Sequence, residues 1–124
     1  MRKEQFVIDE EPIGKNRPRF TRTGHVYSPQ KNKEYEQRVK LSYNGEKFDG
    51  AVNLKLTAYY QKPKRSKLLC PTKKPDIDNV AKIIMDGLNG VAWDDDKQVV
   101  SLTAIKKWTN DYPRVEVLIT EWVE

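Results

Sequence analysis

One segment, residues 73–100, constrains both the fold and the chemistry of this chain more than any other. It reads KKPDIDNVAKIIMDGLNGVAWDDDKQVV, so an Asp-x-Asp pair opens an apolar run and three adjacent aspartates follow after a short turn. The apolar residues recur at the spacing of a helix that buries one face. The segment therefore predicts an amphipathic helix with acidic groups at its start and a second acidic cluster close to its end.

Projected at ~100° per residue, this helix separates an apolar face from a polar one. On the polar face, Asp78, Lys82 and Asp86 follow one another at i, i+4 steps, with Asn89 on the same side. We expect the apolar face to pack in the core. Its residues are Ile77, Val80, Ala81, Ile84 and Leu88.

A purely structural explanation of these charges is available. Asp76 occupies an N-cap position, where a carboxylate accepts hydrogen bonds from the free amides of the first turn. Asp78 complements the helix dipole, and Lys82 forms an i, i+4 ion pair with an aspartate. For an isolated Asp-x-Asp pair at a helix start, we would favour this explanation.

The three adjacent aspartates, Asp94, Asp95 and Asp96, shift the balance toward a cation site. Clustered carboxylates repel one another unless a cation offsets the repulsion. Carboxylate oxygens suit Mg²⁺ or Mn²⁺, whereas a calcium-binding EF-hand loop would need glycine where this chain has Ala81. A metal held in this way can polarise a phosphodiester, and Lys82 is the natural ammonium to neutralise charge in the transition state.

Basic residues are concentrated in one part of the chain. Residues 12–74 hold 16 Lys and Arg against 4 Asp and Glu, whereas the remainder holds 7 against 14, for a net charge of +5. This division suits a surface that binds the phosphates of a nucleic acid, although a solvated basic surface would explain the charge equally well by itself. The candidate DNA contacts are Lys15, Arg17, Arg19, Arg22, Lys73 and Lys74.

Cysteine and histidine usage excludes several kinds of site. Cys70 is the single cysteine, so an intrachain disulfide and a cysteine-based zinc site are both excluded, and we expect its side chain to be partly buried. The role of His25, the single histidine, stays open. No stretch approaches the ~20 apolar residues of a membrane span, so we expect a cytoplasmic protein with no membrane partner.

The remaining patterns predict the order β, helix, β, helix, β, β. Strands are expected at residues 4–9, 51–60, 98–108 and 114–122, and a first helix at residues 31–43 with Ser28 and Pro29 at its start. Between them, residues 11–29 form a loop or a loose hairpin, and residues 61–75 form an exposed loop. A chain of 124 residues is the size of one domain.

Three motifs together carry a family resemblance: D-x-D-N-x-x-K, D-x-L-N-G and W-D-D-D-x-Q-V. With them the chain resembles the RusA family of Holliday-junction resolvases, common in phages and prophages, over nearly its whole length. The resemblance implies a single α+β domain spanning residues 1–124, with a mixed sheet of about four strands and two helices packed on it. It also implies a homodimer that cuts four-way DNA junctions symmetrically with Mg²⁺, for which Mn²⁺ may substitute.

By position, the resemblance also implies roles for particular residues. Asp95 and Asp86 are secondary candidates for the catalytic acids. Because Asp94 adds a third adjacent aspartate, the assignment of the last metal ligand stays open by one residue. Where some family members carry arginine before the first aspartate, this chain has Lys73 and Lys74, so that phosphate contact has either moved or been lost. The implied catalytic residues are Asp76, Asp78 and Asp96, which hold the metal, and Lys82.

The expected function is therefore that of a magnesium-dependent endodeoxyribonuclease that resolves Holliday junctions in recombination and repair. It needs DNA and a metal ion but no small-molecule cofactor. Two alternatives remain open: a non-catalytic DNA-binding accessory protein, and a nuclease of flaps or other branches with no preference for four-way junctions. An apolar helix face is the first place to look for the dimer interface.

Overall fold

Over the residues that the structure describes, the fold consists of a four-stranded sheet, two α-helices and a short hairpin. The computed structural model describes residues 1–15, the backbone of residues 19–20 and 26–27, and residues 30–123. The helices are α1 (Gln30–Ser42) and α2 (Ile77–Leu88). The strands are β1 (Lys3–Ile8), β2 (Arg19–Phe20), β3 (Val26–Tyr27), β4 (Val52–Gln61), β5 (Val99–Thr109) and β6 (Arg114–Glu121).

The main sheet has the strand order β1-β6-β4-β5 and is mixed. β6 pairs antiparallel with both β1 and β4, whereas β4 and β5 run parallel. In the register of the central strand, Leu56 lies opposite Val117 on one side and Ala104 on the other. Parallel neighbours need a crossover connection, and α2 is the helix within it. The α+β class, the strand number and the order of elements predicted from the sequence are confirmed.

One face of the sheet and the facing sides of both helices form the core. The alternating apolar residues of β4 are all fully buried. On α2, four of the five residues of the predicted apolar face are also buried, and Ile77, at the start of the helix, is half-buried. Ile83 is buried as well, because α1 packs beside α2 and covers more of its surface. The buried β4 residues are Val52, Leu54, Leu56 and Ala58.

The two helices approach each other closely at Gly87 and Val39. A Cβ atom added at Gly87 would lie 2.7 Å from the Cβ of Val39, a separation that real side chains do not reach. Gly87, which occupies the x position of the D-x-L-N-G motif, therefore has a packing role. It allows the backbone of α2 to lie directly against α1.

Some predictions are refined or corrected. The hairpin alternative for residues 11–29 is confirmed at the backbone, since β2 and β3 pair antiparallel. The predicted cap residues of α1, Ser28 and Pro29, lie outside the described residues. Cys70 is exposed, so its predicted partial burial is wrong: its loop runs over the surface, where the neighbouring Leu69 is 95% exposed. Among the described residues, no helix is long and apolar enough to cross a membrane.

Substituting Gly87 with alanine should destabilise the fold. Alanine favours a helix by ~1 kcal/mol over glycine, but forcing a methyl group into a packed contact costs ~1–3 kcal/mol. We expect a net loss of about 1 kcal/mol in the free energy of unfolding, measured by urea denaturation. Gly50→Ala is the matched control, because a Cβ at Gly50 meets nothing within 4 Å. Equal stability of the two variants would contradict the close approach of the helices.

Candidate functional site

The start of α2 is held by three hydrogen bonds from two residues that are distant in sequence. The ammonium of Lys106, on β5, donates hydrogen bonds to the carbonyls of Lys73 (2.6 Å) and Pro75 (2.8 Å). The backbone N–H of Lys15 donates to the carbonyl of Asn79 (2.9 Å) in the first turn. The acidic start of the helix is thus fixed to the sheet on one side and to the segment after β1 on the other.

The end of α2 is held by α1 and by the turn that follows. Lys40 of α1 donates to the carbonyls of Gly87 (2.9 Å) and Asn89 (2.8 Å), as suits a cation at a helix C-terminus. The indole N–H of the fully buried Trp93 donates to Asn89 Oδ1 (2.7 Å). Gly90 makes the reversal with a φ of +88°, a conformation that glycine adopts without strain. These contacts bring the triple aspartate back beside the helix.

Gln98 organises the acidic turn. Its side-chain oxygen accepts from the backbone N–H groups of Asp94 (2.9 Å) and Asp95 (3.4 Å). Its amide donates to the carbonyls of Phe48 (2.8 Å) and Gly50 (2.9 Å), which precede β4. One side chain therefore ties the turn to a segment about fifty residues earlier, and this is the structural role of the glutamine in the W-D-D-D-x-Q-V motif.

The three adjacent aspartates have three different environments. Asp94 is 83% exposed and pairs with Lys47 at 2.9 Å. Asp95 caps the 3₁₀ turn that follows, where its carboxylate accepts a backbone N–H. Asp96 is 27% exposed and places Oδ2 3.6 Å from Nζ of Lys82. Of the three, Asp96 is the one that meets the polar face of α2.

Charged groups of alternating sign extend from Asp96 across the two helices. Lys82 Nζ lies 3.1 Å from Asp86 Oδ1, and Asp86 Oδ2 lies 3.2 Å from Lys15 Nζ. Lys15 in turn contacts Glu36 of α1 at 2.8 Å. We call these five side chains, Glu36, Lys15, Asp86, Lys82 and Asp96, the charge chain. Each lysine in it sits between two carboxylates.

The charge chain keeps both lysines protonated. The hydrogen bond to Asp86 raises the pKa of Lys82, burial opposes this, and the negative charges of Asp86 and Asp96 raise it further. Burial lowers the pKa of Lys15, but its bonds to Glu36 and Asp86 outweigh burial and leave the pKa above its ordinary value. Both ammonium groups are therefore cationic throughout the neutral range.

The carboxylates of Asp76 and Asp78 make few hydrogen bonds or ion pairs with the residues that the structure describes. Asp76 occupies the N-cap position, but its carboxylate makes no capping hydrogen bond, so the capping explanation of this residue is wrong. Asp78 accepts the backbone N–H of Asn79 at 3.0 Å. In contrast, the ion pair between Lys82 and Asp86 that the structural explanation expected does form.

The donor chemistry of this region suits a hard cation, although no complete cage is preformed. Among residues 1–15 and 30–123, no three Asp, Glu, His or Cys side chains cluster closely enough to hold a metal ion by themselves. Mg²⁺ does not require such a cage, since it usually keeps several waters and binds through one or two carboxylates plus phosphate oxygens of a substrate. The uncapped carboxylate of Asp76 and the half-buried one of Asp96 are available oxygen ligands.

Comparison with known proteins agrees with this arrangement of motifs. The profile of the family described as Endodeoxyribonuclease RusA matches residues 9–120. The chain belongs to the RusA family. It is also 36% identical over 136 aligned positions to the uncharacterized protein YqaN of Bacillus subtilis (strain 168), covering 94% of this chain and 95% of that protein. The matched range includes α2, the acidic turn and the whole charge chain.

The basic residues predicted to contact DNA fall into two groups in this RusA family member. Lys73 and Lys74 are exposed, beside the start of α2, and have no ion pair with another described residue. The side chain of Lys15 is 21% exposed and forms ion pairs with Glu36 and Asp86, so its contact with DNA stays a prediction. The side chains of Arg17, Arg19, Arg22 and His25 lie outside the described part of the chain.

Several residues that build the site were not singled out by the sequence patterns. Lys40 and Lys106 looked like ordinary surface cations, and their partners are distant in sequence. Gln98 is the glutamine of the W-D-D-D-x-Q-V motif, so the family resemblance indicated that it matters. Its four hydrogen bonds, however, were not predictable from spacing along the sequence. Glu36 gave no signal, since an acidic residue on a surface helix is common.

Proposed function

We propose that this RusA family member is a metal-dependent endodeoxyribonuclease that resolves four-way DNA junctions by hydrolysing one phosphodiester in each of two strands. The observation that carries the proposal is the meeting of Asp96 with Lys82 on the polar face of α2, beside the Asp-x-Asp pair. A carboxylate and a permanent cation held on a rigid surface are the groups that phosphodiester hydrolysis needs. Family membership supports DNA as the substrate and hydrolysis as the reaction.

In this proposal Asp76, Asp78 and Asp96 hold Mg²⁺, and Mn²⁺ can replace it. When bound, the ion supplies Lewis-acid polarisation of the phosphate and a more acidic water. The metal role predicted for Asp95 has less support, because its carboxylate already caps the turn. Asp94 is the poorest candidate of the three, since it points to Lys47.

In this proposal, Lys82 contacts the substrate in addition to forming ion pairs within the protein. Its ammonium neutralises the negative charge that develops on the phosphate oxygens during hydrolysis. Asp86 holds Lys82 in place, and Lys15 and Glu36 hold Asp86, so the charge chain orients the cation before the substrate arrives. This arrangement explains why Asp86 is a positioning residue rather than a metal ligand.

DNA binding in the proposal uses the exposed cations near α2. Lys73 and Lys74 contact backbone phosphates, with help from Arg17, Arg19 and Arg22 in the basic segment. Such contacts release counterions, so binding should weaken steeply as salt is raised. In this proposal the enzyme acts in the cytoplasm, on junctions that form there during recombination or repair.

A homodimer matches a substrate that has two-fold symmetry and two strands to cut. The apolar face of α2 does not supply its interface, because that face is buried within the protomer. The edge strand β5 is a better candidate, since it pairs only with β4 among the described strands and leaves one edge free. Three apolar side chains on it are exposed: Val100 (55%), Leu102 (45%) and Ile105 (36%).

The first experiment compares a synthetic four-way junction, a flap and a linear duplex, each with Mg²⁺ and with EDTA. We expect Mg²⁺-dependent cutting of the junction that is abolished in Asp78→Asn and Asp96→Asn, whereas junction binding is kept or tightened because negative charge is removed. Asp94→Asn is the matched control within the same acidic turn. It should cut at the rate of the unmodified protein.

The outcomes of this experiment separate the alternatives. Junction binding without Mg²⁺-dependent cutting of any substrate would favour a DNA-binding accessory protein. Equal cutting of all three substrates would leave a nuclease but remove the junction preference. Loss of activity in Asp94→Asn with normal activity in Asp96→Asn would shift the metal site by two residues.

A second prediction concerns Asp86 as the residue that orients Lys82. Asp86→Asn should lower kcat by about tenfold, with little change in the KM for junctions, because the phosphate contact is misplaced rather than removed. Asp86→Glu keeps the charge and should restore part of the rate. The double variant Asp86→Asn/Lys82→Met should be no slower than Lys82→Met alone, because both substitutions remove the same contact between the Lys82 ammonium and the phosphate. Additive losses in this cycle would show that Asp86 acts independently of Lys82.

A third prediction addresses the dimer. Sedimentation velocity should give a dimer for the unmodified protein and a monomer for Leu102→Glu, because a buried unpaired carboxylate at the β5 edge opposes association. Leu69→Glu is the control, since Leu69 is 95% exposed in a loop away from β5. A monomeric unmodified protein would rule out the homodimer, and a dimeric Leu102→Glu variant would place the interface elsewhere.

A further inference from the structure

Three consecutive apolar residues are exposed in the segment that leads from β4 to α2. Leu68 is 43% exposed and Leu69 is 95% exposed, and the neighbouring Cys70 is exposed as well. Single apolar side chains on a protein surface are ordinary, but a run of exposed ones costs solubility unless it serves a function. We call the segment, residues 62–75, the Leu69 loop.

The rest of the Leu69 loop is cationic. It holds six lysine and arginine residues and no aspartate or glutamate. All six are exposed, and none of them forms an ion pair with another described residue. Apolar side chains among unpaired cations have the charge that attracts a polyanion. The six are Lys62, Lys64, Arg65, Lys67, Lys73 and Lys74.

The backbone on both sides of Leu69 is held in place. On one side, the indole N–H of Trp108 donates to the carbonyl of Leu68 at 3.0 Å, and the N–H of Leu68 donates to Ser66 Oγ at 3.3 Å. On the other side, Pro71 is buried. Leu69 is therefore exposed on a fixed stretch of backbone, so little conformational entropy is lost when its side chain binds a partner.

The Leu69 loop lies beside the acidic start of α2. Trp108 and Lys106 are two residues apart near the end of β5, so their side chains lie on the same side of the strand, with backbones roughly 7 Å apart. Trp108 holds the carbonyl of Leu68, and Lys106 holds the two carbonyls that flank Lys74 in sequence, at 2.6 and 2.8 Å. Both anchoring side chains line one hollow of about 200 Å³. The exposed leucines are thus carried next to the segment that leads directly into Asp76.

We propose that Leu69 inserts between bases at the branch point of the DNA, while the cations of its loop contact the phosphates on either side. Leucine is one of the apolar side chains that enter a base step and partly unstack it in this way, with basic residues around them on the backbone. This inference rests on the proposed function, because it places the branch point beside Asp76 and so beside the bond that is cut. A base step opens at least cost where pairing is already interrupted.

The consequence is that two kinds of side chain in one loop do different work. The cations bind any DNA, since phosphates are present in every duplex. A leucine that has to enter a base step favours DNA whose stacking is already broken. Leu69 is therefore a specificity-determining residue for branched DNA, separate from the carboxylates that hold the metal.

The experiment uses four-way junctions that carry a fluorescent adenine analogue, whose emission is quenched by stacking, at each position next to the branch point. The junction is saturated with protein in EDTA, so that no strand is cut. We expect emission to rise at one or more positions, and the rise to fall about tenfold in Leu69→Ala, because most of the inserted apolar surface is lost. Leu69→Met keeps an apolar side chain of similar volume and should retain most of the rise.

Leu41→Ala is the matched control. Leu41 is 70% exposed near the end of α1, where the neighbouring Lys40 contacts the end of α2 rather than its start. Emission with this variant should equal that with the unmodified protein. Neither alanine variant should lower the melting temperature, since both leucine side chains are largely exposed in the folded protein.

Arg65→Gln tests the cations of the loop separately. It should weaken binding to linear duplex and lower the slope of log affinity against log salt by about one, because one phosphate contact is lost. At saturation, the rise in emission should remain. Leu69→Ala should leave the affinity for linear duplex and its salt slope unchanged, since the leucine contacts no phosphate.

The results separate this inference from the proposed function. No rise in emission at any position, or a rise that persists in Leu69→Ala, would overturn the inserted leucine even if Mg²⁺-dependent cutting of junctions is normal. An equal loss in Leu41→Ala would overturn it too, because the effect would not be local. A dimer that becomes a monomer in Leu69→Ala would instead assign the leucine to a protein interface. A rise that depends on Leu69 without any cutting in Mg²⁺ would support the inserted leucine and reject the nuclease.

Discussion

The burial of the apolar face of α2 against the sheet and α1 is the constraint on which the rest of the site depends. Val80, Ile84 and Leu88 are fully buried, so the helix cannot rotate about its axis without exposing them to water. The close approach at Gly87 sets the distance to α1 as well. With rotation and distance both fixed, the polar face of α2 has one possible orientation, and the crossover into β5 brings the acidic turn to it.

Ion pairs with lysine reduce the repulsion among the carboxylates that lie close together around α2. Each lysine of the charge chain lies between two carboxylates, which offsets the repulsion around Asp86 and Asp96. Asp76 and Asp78 have no ion pair with any described residue. The acidic start of α2 therefore carries negative charge that no described cation pairs with, close in sequence to the exposed Lys73 and Lys74.

Hydrogen bonds between residues that are distant in sequence hold the local motifs together in one site. Gln98 connects the acidic turn to the segment before β4, and Lys106 connects β5 to the segment before α2. Both side chains donate to backbone carbonyls, so they hold the chain itself rather than another flexible side chain. This gives the carboxylates a rigid support, and rigid support is what allows a reactive group to be oriented before the substrate binds.

Periodicity in the sequence was sufficient to predict the order of elements, the core face of α2, and the stripe of Asp78, Lys82 and Asp86, because each depends on neighbours within one strand or helix. The motifs were sufficient for the family. Only the tertiary structure showed which of the three adjacent aspartates faces Lys82. It also showed that Asp76 makes no capping hydrogen bond and that Lys15 is neutralised inside the protein. Those answers depend on side chains that are far apart in sequence, and spacing along a chain carries no information about partners that only folding brings together.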